Sequence, residues 1–155
     1  MIDPQKPKYH KLYWSIAFAA AKQSTAQRKK VGAVIVTPTG MISVGWNGMP
    51  AGFDNNTEVY VNDLSGPSFT TRPEVIHAER NAIDKLTRQG VPVDGSILFI
   101  TLSPCLECAK SIHGLGFEHI YYEESYRDSA GLDFLKQAKV PFTQKPRNLP
   151  YDTPY

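Results

Sequence analysis

Cysteine is scarce in this chain: only Cys105 and Cys108 occur among 155 residues. One such pair does not staple a small secreted scaffold, and two intervening residues is a spacing used for metal binding or redox chemistry. An excess of one charge sign is also missing, with 17 basic residues against 15 acidic ones and a formal net charge of +2. That balance argues against an extended basic stripe and against a membrane-binding surface, so no nucleic-acid partner is expected and any anion site has to be local. Long apolar runs are lacking too. The longest one near the N-terminus is interrupted by Lys11 and Ser15 and follows a polar start, which suits neither a signal peptide nor a membrane span. A cytoplasmic protein is expected. No repeat or domain-length linker is visible, and the 41% hydrophobic content suffices for a real core, so 1–155 reads as one domain with a proline-rich tail from about 146.

What is present has a regular order. Leu12, Tyr13, Ile16, Ala17, Ala20 and Ala21 recur at three and four positions and predict a helix over 9–26. The β-branched stretch 31–36, the turn Pro38-Thr39-Gly40 and the apolar stretch 41–46 predict a hairpin. Residues 48–71 carry glycine, proline, asparagine, aspartate and serine with no sustained period, and read as a long surface loop. Pro73 can occupy the first turn of a second helix whose apolar face is Ala78, Ala82, Ile83 and Leu86 and whose end is near Gly90. A strand over 96–101, a helix from Pro104 to Gly114 or Gly116, a strand over 119–122, a helix over 129–138 and a short strand over 140–142 follow. A hairpin followed by alternating strands and helices requires crossovers that make the later strands parallel, with helices on both faces of one sheet. The fold class is α/β.

Two motifs carry chemistry. His77-Ala78-Glu79 opens the second helix and Pro104-Cys105-Leu106-Glu107-Cys108 opens the third. Helix starts at the carboxyl ends of neighbouring parallel strands converge on one crevice, so His77, Cys105 and Cys108 can share a metal ion. Three protein ligands leave the fourth tetrahedral position to water, which is the coordination of a catalytic zinc site, and the helix dipoles favour thiolate and hydroxide there. Glu79, two residues from the histidine, can then move protons as both acid and base. A lone histidine at a helix start is more often structural, and a lone cysteine pair can be redox-active or merely buried. Together and in this order they match the signature of the zinc deaminases, a histidine and glutamate one residue apart followed by proline and two spaced cysteines.

Further stretches extend the likeness: 31–36, Gly45-Trp46-Asn47-Gly48-Met49-Pro50-Ala51-Gly52, 77–83 and 101–110. Through them the chain resembles the deoxycytidylate deaminases of bacteria and bacteriophages over roughly 24–140. The resemblance implies a cytidine-deaminase-like three-layer α-β-α sandwich around a mixed five-stranded sheet, with a hairpin of the first two strands and parallel later ones. It implies hydrolysis of dCMP to dUMP and ammonia, by water activated on Zn2+ with Glu79 as proton shuttle. Asn47 would contact the sugar hydroxyl, and the backbone at Ala78, Leu102 and Ser103 would read the aminopyrimidine edge. A phosphate needs cationic or hydrogen-bonding compensation, for which Arg28, Lys29 and Lys30 before the first strand, and Tyr126 and Arg127 after the fourth, are candidates. The resemblance further implies a homo-oligomer, commonly a hexamer, and regulation by dCTP and by dTTP with Mg2+ through the segment Gly45, Trp46, Asn47 and Gly48. Tryptophan stands here where tyrosine is usual. Because 48–76 holds no histidine and both cysteines are already used, one zinc per subunit is expected.

Rival readings are a dCTP-active or dual-substrate deaminase, a deaminase of free cytidine, an adenosine deaminase acting on transfer RNA, and a non-catalytic zinc module. The basic cluster at Arg28 disfavours the free nucleoside. The balanced charge disfavours the RNA editor, and Glu79 disfavours a purely structural metal, which needs no proton shuttle.

Overall fold

The computed structural model describes residues 6–146. In chain order its elements are α1 (Pro7–Gln23), β1 (Gly32–Val36), β2 (Ile42–Trp46), β3 (Glu58–Asp63), β4 (Gly66–Thr71), α2 (Ala78–Arg88), β5 (Ile97–Leu102), α3 (Leu106–Gly114), β6 (His119–Glu124), α4 (Ala130–Gln137) and β7 (Phe142–Gln144). Five strands form one mixed sheet in the order β2-β1-β5-β6-β7. β1 pairs antiparallel with both β2 and β5, while β5, β6 and β7 run parallel.

The pleat divides the core in two. Val34 stands opposite Phe99 and Phe99 beside Tyr121, so one face presents these rings and Val36 to Tyr13, Trp14 and Ala17 of α1. The alternate residues Ala33, Ile35, Leu98, Ile100, Ile120 and Tyr122 face the other way and pack with Ala82, Ile83 and Leu86 of α2, Ala109 and Ile112 of α3 and Leu135 of α4. A strand buried on both faces reads as a continuous apolar run, which is how 31–36 and 97–100 appear in the sequence. The result is three layers: α1, the sheet, and α2, α3 and α4 together. Because the last three helices share a face, the starts of α2 and α3 meet at one end of it.

Several expected boundaries shift. The first helix ends at Gln23 rather than 26, since Ser24 is already extended. Pro73 does not begin the second helix; it lies in the turn before the isolated bridge between Gly48 and Ile76, and the helix starts at Ala78 with His77 as its N-cap. The last strand occupies Phe142–Gln144 and not 140–142. The largest correction concerns 48–71, which is not an irregular loop throughout. Its second half is the two-stranded antiparallel sheet of β3 and β4, joined through a turn in which Gly66 takes φ of 101°. The expected proline-rich tail lies, from 147 onward, outside the described residues.

Candidate active site

His77 is the N-cap of α2 and Cys105 the N-cap of α3, both in extended backbone conformation and neither spending its side chain on a capping hydrogen bond. Cys108 lies in the first turn of α3. The three side chains therefore project past the helix ends toward each other: His77 Nδ1 is 3.5 Å from both sulfurs, and the donor atoms all lie within 4.8 Å of one another. A tetrahedral zinc ion with ordinary Zn–N and Zn–S bonds separates its nitrogen and sulfur ligands by about 3.6 Å. The donors present thus fit zinc in both type and spacing, and three of them leave one corner of the tetrahedron to solvent or substrate.

The electrostatics of these groups are tightly linked. Hydrogen bonding to Cys108 is the largest effect on Cys105, and with the neighbouring His77 it holds the Cys105 thiol down to about 4, against the cost of burial. Cys108 is pushed upward, first by sharing its hydrogen with Cys105 and then by burial. His77 is raised by its contact with Cys105. One thiol–thiolate pair beside an imidazole is the protonated form of a metal-ligand set, and the positive ends of α2 and α3 favour the negative charge. Glu79, in the first turn of α2, is only 3% exposed. Burial holds its carboxyl above the ordinary carboxylate range, opposed by its own backbone N–H and by the charge of His77.

Close backbone approaches keep this end of the molecule in place. A methyl group on Gly45 of β2 would sit 2.2 Å from the carbonyl oxygen of Ala78, so glycine lets the first turn of α2 lie directly on the strand. On the other side, Gly131 of α4 allows equally close contact with the Pro104 carbonyl that precedes Cys105. Asn47 ties the strand end to the preceding loop: its Oδ1 accepts from the Val31 N–H at 2.8 Å and its Nδ2 donates to the Lys29 carbonyl at 2.8 Å. Its neighbour Trp46 is half-exposed beneath the Lys85 ammonium group, and the Trp46 carbonyl accepts from Asn81 Nδ2 at 2.7 Å.

A cavity of about 390 Å³ opens above the cluster, a volume in the range of small-molecule sites. Of the residues singled out from sequence, Arg28, Lys29, Asn47, His77, Ala78, Glu79, Leu102, Ser103, Cys105, Tyr126 and Arg127 line it. Lys30, Gly45, Trp46, Gly48 and Cys108 do not contribute to that wall. Lys29 forms an ion pair with Glu124 at the rim, whereas the Arg28 guanidinium donates to the Thr71 hydroxyl at 3.4 Å and its charge also acts on the Glu58 carboxylate. Ser103 accepts the Tyr126 N–H at 2.7 Å and donates its own N–H to the Glu124 carbonyl, which anchors the segment carrying Tyr126 and Arg127. Sequence reasoning missed Thr57, Glu58 and Thr71, which close the basic side of the cavity. Their signal was available in the β-branched and aromatic residues at 59–61 and 69–71 flanking Asp63-Leu64-Ser65-Gly66.

Residues 7–124 match the family model for the cytidine and deoxycytidylate deaminase zinc-binding region. ComE operon protein 2 of Bacillus subtilis is 35% identical over 140 residues, covering 86% of this chain and 72% of that protein. Deoxycytidylate deaminase of Enterobacteria phage T2 is 31% identical, covering 85% of this chain and 89% of its own. Among solved structures, dCMP deaminase of the cyanophage S-TIM5 in complex with dCMP and dUMP superposes with a TM-score of 0.81 at 38% identity, over 91% of this chain and 99% of that one. A transfer RNA adenosine deaminase, at 20% identity and a TM-score of 0.57, shares the fold alone.

Proposed function

The chain belongs to the cytidine and deoxycytidylate deaminase family, and from that membership we propose that it hydrolyses dCMP to dUMP and ammonia. The observation that carries the reading is the meeting of one imidazole, two sulfurs and a buried carboxyl beside a cavity whose wall also holds Arg28, Lys29 and Arg127. The likeness to a cyanophage enzyme whose structure holds dCMP and dUMP supports the same substrate here.

His77, Cys105 and Cys108 would hold Zn2+, one ion per subunit. Bound there, zinc supplies a Lewis acid that brings the pKa of a water molecule toward neutrality. Glu79 takes a proton from the attacking water and delivers it to the ring nitrogen beside the amino-bearing carbon; it then takes the proton of the newly added hydroxyl and passes it to the amino group, so that the carbonyl forms as the C–N bond breaks and ammonia leaves. A carboxyl whose pKa is raised by burial suits this double duty, because its carboxylate accepts a proton more readily than an ion-paired one would and holds it long enough to hand it on. The backbone at Ala78, Leu102 and Ser103 borders the space for the pyrimidine edge, and Asn47 faces the sugar while its amide braces the wall. Arg28 and Arg127, with Tyr126, meet the phosphate; Lys29 joins them by exchanging Glu124 for substrate.

The same reading includes a homo-oligomer, expected as a hexamer, and effector control by dCTP and by dTTP with Mg2+ through residues 45–48. No helix among the described residues is long and apolar enough to cross a membrane. Two cysteines kept as metal-binding thiols suit a reducing compartment, so the cytoplasm is assigned as its location.

Ammonia release by the purified zinc enzyme, measured with deoxycytidine, dCMP, dCTP and an adenosine-containing RNA stem-loop, tests the assignment. The expected order puts dCMP first by kcat/KM. Equal kcat/KM for nucleoside and monophosphate would remove the phosphate site, and turnover of the stem-loop alone would move the enzyme to another substrate class.

A further inference from the structure

The β3–β4 hairpin is exposed along nearly its whole length, and Tyr60 at 76% and Leu64 at 109% relative exposure show how little of it packs on the domain. The one buried residue in its two strands is a carboxylate, Glu58. A buried charge in an otherwise solvated ribbon costs free energy unless hydrogen bonds compensate it, so its surroundings indicate what it is for. Glu58 Oε1 accepts the backbone N–H groups of Gln27 at 2.9 Å and Arg28 at 3.1 Å, and Oε2 accepts the Thr57 hydroxyl. Burial acts to raise its pKa, but the hydrogen bonds from Thr57, Arg28 and Gln27 prevail and hold it below the ordinary value.

Both acceptor bonds of Oε1 go to a stretch that has no strand or helix of its own. Residues 24–31 lead from α1 to β1, and the next two side chains after Gln27 are the basic pair at the cavity rim. The rest of the hairpin base grips the same place. Thr71, the cross-strand partner of Glu58, receives the Arg28 guanidinium, and Thr25 reaches the Asn55 carbonyl at 3.2 Å. The Arg72 N–H donates to the Thr57 carbonyl at 2.8 Å, and its side chain pairs with Asp54 at 2.9 Å, which fastens the hairpin base to itself.

We infer that Glu58 is a positioning residue, which by holding the Gln27 and Arg28 backbone aims the basic rim at the 5′-phosphate and so sets the preference for a nucleotide over a nucleoside. The inference rests on the monophosphate reading above. Glu58 acts through Arg28 and Lys29: its oxygens are engaged by protein donors, and the zinc cluster and Glu79 belong to other elements.

The test is steady-state kinetics of the zinc-loaded enzyme and its Glu58→Ala and Glu58→Gln variants on dCMP and on deoxycytidine, with zinc content measured in parallel. In Glu58→Ala, KM for dCMP is expected to rise about tenfold or more, the scale of losing two hydrogen bonds to a charged acceptor. Its kcat should change by less than about threefold, the pattern of lost binding rather than lost chemistry, and KM for deoxycytidine should stay where it was. Glu58→Gln, whose remaining carbonyl oxygen can still accept both N–H groups, is expected to restore most of the dCMP affinity. If Glu58→Ala does not fold, Glu58→Asp carries the same expectation, since a side chain one methylene shorter draws the acceptor away from both N–H groups. An unchanged dCMP KM overturns the inference, as does an equal loss on both substrates, or a Gln variant as impaired as Ala. A wild-type enzyme that does not distinguish dCMP from deoxycytidine overturns the monophosphate reading first and this inference with it; a discriminating wild type with indifferent variants overturns this inference alone.

Discussion

Two glutamates in this chain are buried and have opposite environments. Glu58 is surrounded by N–H and O–H donors and stays ionised; Glu79 is pressed into the first turn of α2 with its pKa raised by burial. The difference comes from burial and hydrogen bonding, and it suits the roles proposed for them, since an anchor must keep its charge and a proton carrier must be able to lose it. Replacing Glu79 by glutamine keeps size and hydrogen-bonding capacity but removes the titratable proton. The expected outcome is a kcat reduced by about 10²–10⁴-fold, the usual worth of a general acid–base, with zinc content unchanged by metal analysis. Turnover within a few-fold of wild type would take the proton-carrying role away from Glu79. Legibility at this scale divided along the same line. His77, Glu79, Cys105 and Cys108 could be read because residue type and short spacing are themselves the signature of their chemistry. Glu58 could not, because its meaning comes from two backbone groups 30 and 31 positions earlier in the chain.

The elements that bury an apolar face were readable, and the one that does not was missed. The runs 31–36 and 97–100 announce strands because both their faces are covered, and α2 announces itself through Ala78, Ala82, Ile83 and Leu86. β3 and β4 have no buried face to impose a polar–apolar alternation, so only their turn and their β-branched content marked them. Within β2, Gly45 drew attention as part of an effector segment, while its surroundings give it a mechanical duty as well. A Cβ there would stand 2.2 Å from the Ala78 carbonyl and 2.7 Å from the Ala82 nitrogen, both backbone atoms that cannot swing aside. Gly45→Ala should therefore displace the start of α2, which carries His77 and Glu79. Urea unfolding is expected to show a loss of about 1–3 kcal/mol, the common cost of overpacking a tight site, together with a lower kcat. A variant of full stability and full activity would mean that strand and helix are not in the close contact described.

At the scale of the whole molecule, the question is whether the metal holds the fold or the fold holds the metal. Small zinc domains are unfolded without their ion because ligand bonds replace a core they do not have. Here two apolar clusters fill both faces of a five-stranded sheet, and the helices that carry the ligands are seated by Ala82, Ile83, Leu86, Ala109 and Ile112 independently of His77, Cys105 and Cys108. The order of strands and helices, readable from the sequence, is what brings the two helix starts together; the ion then binds a site already assembled. Zinc removal by a chelator under reducing conditions is accordingly expected to abolish turnover while leaving the far-UV circular dichroism of the helices and sheet in place. The melting temperature should fall, because a ligand that binds only the folded state stabilises it by about 4 kcal/mol at a thousandfold excess over its dissociation constant. Adding zinc back should restore both activity and melting temperature, and the two thiols should react with a thiol reagent only in the metal-free form. Collapse of the circular dichroism on chelation would reverse the causal order, making the metal a structural requirement of the domain rather than a guest at the junction of α2 and α3.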